Sequence, residues 1–136
     1  MSPWLPATLA SLLLFGLWGF FAKLAARAMG SSSALVYQVL GGLAVGLLAW
    51  ARLGFRVETR PAGVAFAALT GAAGVLGTYF FYEALRRGGL AVVTLSVALY
   101  PVVTIALAML FLQEALSLRQ AVGVGCALLA IYLLQG

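Results

Sequence analysis

The chain has 136 residues, of which 65% are hydrophobic and 8% charged, too few charges to cover the surface of a water-soluble domain of this length. The length suits a single domain, residues 1–136, and the expected class is an all-α, polytopic membrane protein. The net charge of +5 does not argue for nucleic acid, because the bases stand singly or in pairs at the ends of apolar runs, where lipid headgroups are met.

A spanning helix takes about 20 mostly apolar residues, and five such stretches follow one another. The first is expected over Trp4–Ala28, opening beside Pro3 and Pro6, which suit a first helical turn. It lacks the basic opening of a signal peptide, so a spanning helix is expected. Trp18 and Gly19 lie deep in it. Lys23 lies about one turn inside its end, where two readings stand: an anchor whose long stem snorkels outward, or a cation facing a pathway.

The second stretch is expected over Ser33–Trp50, with Ser31, Ser32 and Ser33 offering N-caps. Gln38, Gly42 and Gly46 share one of its faces at i, i+4, i+8. Such rows of small residues let helices approach closely in lipid, and Gln38 beside them suits an interhelical hydrogen bond or a substrate contact. The third stretch, Pro61–Leu85, repeats the pattern at Gly71, Gly74 and Thr78. Further along it, Tyr79, Tyr82, Glu83 and Arg86 form a polar face leading out of the membrane. Glu83 either pairs with Arg86 or Arg87, as surface carboxylates commonly do, or binds a proton or substrate at a cavity mouth.

The fourth stretch is expected over Leu90–Leu112. Ser96, Tyr100 and Thr104 share a face there at i, i+4, i+8, and Pro101 leaves the Val97 carbonyl without its helical partner, which bends a helix. The face reads as a cavity wall, or as hydroxyls bonded back to their own helix. Glu114 closes this helix against the dipole and calls for a compensating partner such as Arg119. The fifth stretch, Leu118–Leu134, carries Gly123, Ala127 and Ala130 on one face, and Cys126 as a small packing residue.

The loops are short, so successive helices should be antiparallel neighbours in a tight bundle. Five spans put alternate connections on opposite sides. Arg52, Arg56, Arg60 and Arg119 then share one side, and Lys23, Arg27, Arg86 and Arg87 the other. Orientation normally follows an excess of Lys and Arg on the cytoplasmic side. With none here, either another feature sets it or the chain inserts both ways. In the second case two copies form an antiparallel dimer like that of inverted-repeat transporters.

The sequence contains no His and no Asp, which excludes a Ser-His-Asp triad, an HExxH zinc site and an aspartate dyad. There is no Walker motif, and Gly123 and Gly125 sit in an apolar helix rather than after a strand. Neither an enzyme nor a cofactor or metal is therefore expected.

Trp18-Gly19 followed by Lys23, then Tyr82-Glu83-Ala84-Leu85 with Gly88, then Leu99-Tyr100-Pro101 through Leu112-Gln113-Glu114, and finally Gly123, together resemble the EamA repeat of the drug/metabolite transporter superfamily. The resemblance covers essentially the whole chain. It implies one half of a ten-helix, inverted-repeat secondary transporter of metabolites, amino acids or drug-like solutes, completed by a second copy or a related half. It also implies a multi-pass protein of a bacterial inner membrane. The related small multidrug transporters carry a Glu in helix one, but here that helix has only Lys23 and Arg27 as charges, so their proton exchange does not carry over. Candidate substrate contacts are Trp18, Lys23, Gln38, Tyr79, Tyr82, Glu83, Ser96, Tyr100 and Thr104. Candidate structural positions are Pro101, Glu114, Gly42, Gly46, Gly71 and Gly74. The rival expectation is a non-transporting assembly partner of another transporter.

Overall fold

The computed structural model of the protein describes residues 4–113, 115 and 117–135. Every described element is an α-helix: α1 Leu5–Ala28, α2 Ser31–Arg52, α3 Pro61–Arg87, α4 Leu90–Val97, α5 Tyr100–Phe111 and α6 Leu118–Gln135. A helix satisfies its backbone polar groups internally, which lipid demands. By length and apolarity α1, α2, α3 and the stretch Leu90–Phe111 can each cross a bilayer, and Leu118–Ala130 is a shorter apolar helix. The chain is thus an all-α, multi-pass membrane protein.

Pro6 stands in the first turn of α1, where its missing N–H costs nothing. The start of α2 differs from expectation. Gly30 is the N-cap and no side chain caps the helix, so the serines lie inside the first turn. The connection from α1 is only Met29 and Gly30, and Ser31 is drawn into the packing, with 2% of its surface exposed. At the other end of α2, Gly54 and Phe55 take left-handed backbone at φ 62° and 61°. That is unfavourable for Phe55, and two contacts offset it: its N–H donates to the Trp50 carbonyl, and its ring meets Trp50 edge-on at 5.2 Å.

The expected fourth helix is present as the span Leu90–Phe111, with its hydrogen-bond ladder broken at Ala98 and Leu99. Its first part ends at Val97 and its second begins at Tyr100. Around the break the Ala98 N–H donates to Thr94 and the Leu99 N–H to Ser96, a tightening turn. Pro101 cannot bond the Val97 carbonyl, so it restarts a helix in the first turn of α5 instead of continuing one.

The chain forms two compact units, Met1–Arg87 and Gly88–Gly136. In the first unit α1, α2 and α3 all touch one another. Trp18 meets Phe81 and Lys23 meets Leu85, so α1 runs parallel to α3; Gln38 meets Tyr82 near the start of α2, so α2 runs antiparallel to both. The packing is concentrated at one end. Gly19, Ala22 and Ala26 of α1, Ser31 and Ala34 of α2, and Phe81, Tyr82 and Leu85 of α3 are buried there. Residues 6–17, 39–52 and 61–77, toward the other end, are all exposed. The glycine rows therefore do not serve as expected: a Cβ added at Gly42, Gly46, Gly71 or Gly74 meets nothing within 4 Å. The small buried face of α1 is Gly19, Ala22 and Ala26, although a Cβ added at Gly19 also meets nothing within 4 Å. In the second unit α4 packs against α6.

Candidate functional site

The closed end of the first unit collects most of the candidate substrate contacts. Gly19, Ala22 and Ala26 recur at helical spacing on the buried face of α1. Trp18, at the margin of that face, stacks on Phe81 with ring centroids 5.1 Å apart and planes 14° from parallel. Such an offset stack contributes about 0.5–1.5 kcal/mol beyond the area it covers.

Lys23 points inward. Its Nζ donates a hydrogen bond to the Leu85 carbonyl oxygen, and the contact is partly buried. The reason lies in α3. The last four carbonyls of a helix have no partner within it, α3 ends at Arg87, and a cation at a helix C-terminus complements the dipole.

Tyr82 Oη donates to Gln38 Oε1 at 2.8 Å, the interhelical bond expected of Gln38. In a membrane such bonds are worth about 0.6 kcal/mol, and up to about 1.7. One residue on, Glu83 faces Arg86 at 3.6 Å and Arg87 at 3.4 Å, so the ion-pair reading of this carboxylate is realised along the surface of α3. The Ser31 hydroxyl is buried beside the same carboxylate. Tyr79 packs edge-on against Phe80 at 5.5 Å. With Glu83, Ala84 and Arg87 they line an open depression of about 390 Å³; a single helix supplies all of its walls, so it is not an enclosed pocket.

The hydroxyls of the second unit are arranged differently. Ser96 Oγ donates to the Val92 carbonyl at 2.8 Å and Thr104 Oγ1 to the Tyr100 carbonyl at 3.2 Å. These are the back-bonds to the same helix that polar residues make in lipid. Ser96 lies on α4 while Tyr100 and Thr104 lie on α5, so the expected continuous stripe is broken at Ala98 and Leu99. Tyr100 is exposed. Glu114 lies outside the described residues.

Three participants escaped the sequence reading. Phe81 was one apolar residue among many, although its place one turn before Leu85 on the Tyr82 side of α3 is a helical-period signal. The Leu85 carbonyl is main chain, foreseeable only from the unpaired carbonyls that end every helix. Ser31 was read as a cap.

The family model described as "EamA-like transporter family" matches residues 2–135. An uncharacterized protein of Methanocaldococcus jannaschii is 26% identical over 123 residues, covering 90% of this chain and 89% of the relative. No solved structure matches.

Proposed function

The chain belongs to the EamA-like transporter family, and from that premise we propose that it is one half of a secondary transporter, completed by a second copy in the opposite orientation. Its cargo is a small metabolite, an amino acid or a drug-like solute, moved by alternating access across a bacterial inner membrane, with no enzymatic step. The observation that carries this reading is the family match over residues 2–135. Transporters of this kind are built from two oppositely oriented halves around a midplane site.

Two features support the antiparallel copy. The bases are divided evenly between the two sides of the expected topology, which removes the usual charge bias that fixes orientation. The faces carrying Gly42, Gly46, Gly71 and Gly74 are left open by their own unit, and small-residue faces in lipid suit a neighbouring helix.

In the first unit the proposed solute contacts are Trp18, Lys23, Gln38, Tyr79 and Tyr82, with Glu83 at the mouth. Aromatic rings beside an ammonium and an amide suit a small amphipathic solute. In the second unit Ser96, Tyr100 and Thr104 are proposed contacts.

The reading is tested by reconstituting the purified protein in proteoliposomes and following uptake or counterflow of radiolabelled amino acids, organic acids and cationic dyes. Saturable flux of at least one class, reduced by Trp18→Ala, is expected. Absence of flux across the panel, together with stable co-purification of a different membrane protein, would instead establish the chain as an assembly partner.

A further inference from the structure

We propose that the Lys23–Leu85 carbonyl bond and the Tyr82–Gln38 bond form a latch that shuts one end of the first unit, and that a passing solute must displace it. The proposal rests on the transporter reading and adds to it the residues that close the path.

Closure is confined to one end. The buried residues of α1, α2 and α3 cluster around Leu85, which is 0% exposed, whereas the helix faces toward the other end are uncovered. Two polar bonds tie the closed end, one from α1 to α3 and one from α3 to α2. All three helices are therefore linked there through side chains of α3 or its terminal main chain.

The linkage is of a kind that can open. An ammonium on a helix-terminal carbonyl can exchange that acceptor for another oxygen, since it carries three donors. A hydroxyl–amide bond between membrane helices shifts an equilibrium only roughly 3- to 20-fold. The helix surface beneath is Gly19, Ala22 and Ala26, without large side chains to interlock. Trp18, stacked on Phe81, lies about one turn before Lys23, between the open part of α1 and the latch. A solute entering from the open end and resting against the indole then reaches Lys23 next. A solute oxygen that draws the ammonium off the Leu85 carbonyl makes occupancy and release of the latch one event.

The test uses the full chain in lipid nanodiscs, where both faces are accessible and orientation does not matter. Cys126 is replaced by alanine, and Ala26→Cys reports on the closed end, because Ala26 is 7% exposed. The rate of labelling by a water-soluble maleimide is followed. Lys23→Met and Tyr82→Phe should each raise it roughly 3- to 20-fold. Lys23→Arg, which still donates, should leave it slow, and exposed Ser32→Cys should label at one rate throughout. An unchanged rate in both Lys23→Met and Tyr82→Phe overturns the latch. So does a rise accompanied by loss of the cooperative thermal transition, which would mean that the helices had merely come apart. Unchanged labelling in a protein that still transports defeats the latch alone, whereas absence of flux defeats the transporter reading beneath it.

Discussion

Lys23, Gln38 and Tyr82 show what a membrane does to polar side chains: each is spent on a specific partner. Gln38 and Tyr82 were legible as polar residues at helical spacing, and their meeting follows from the antiparallel run of α2 and α3. Lys23 is legible as costly in lipid and as either an outward anchor or an inward cation, but its acceptor is a carbonyl that carries no sequence signal. A double-mutant cycle in detergent unfolding should give Gln38→Leu and Tyr82→Phe a coupling of about 0.6 kcal/mol, at most about 1.7. Additivity of the two would mean that the 2.8 Å bond contributes nothing to stability. Ser96→Ala and Thr104→Val each remove a bond to their own helix, so melting temperature should hardly move. A fall in flux in either variant would then report contact with the solute.

At the scale of elements, hydropathy located the helices well because a spanning helix must be long and apolar throughout. What it could not locate were events set by backbone geometry. The serines looked like caps, yet Gly30 opens α2 because a two-residue connection leaves no room for a longer approach. Pro101 reads as a bend, and its missing N–H coincides with the break between α4, ending at Val97, and α5, beginning at Tyr100. Pro101→Ala restores the donor for the Val97 carbonyl. It should extend hydrogen-exchange protection across Ala98 and Leu99 and stabilise the span by up to about 3 kcal/mol. Unchanged exchange there would mean that the break has a cause other than the proline.

For the molecule as a whole, the family match over residues 2–135 and the even division of bases support the proposed pairing with an inverted copy. The glycine rows were read as the seams of this chain's own bundle, since spacing reveals a face fit for close approach but not which helix takes it. Their openness makes a further prediction. Gly42→Leu and Gly71→Leu should leave the monomer folded, as nothing lies within 4 Å of either position, and should weaken cross-linking between copies in the membrane. Undiminished cross-linking would place the contact between copies elsewhere.

The central claim, a half-transporter paired with an inverted copy of itself, is tested most directly by fusing to Gly136, in parallel, a reporter active only in the cytoplasm and one active only outside it. Comparable signal from both is the predicted result and means that the chain inserts in both orientations. Signal from one reporter alone would contradict the inverted homodimer and require an oppositely oriented partner chain.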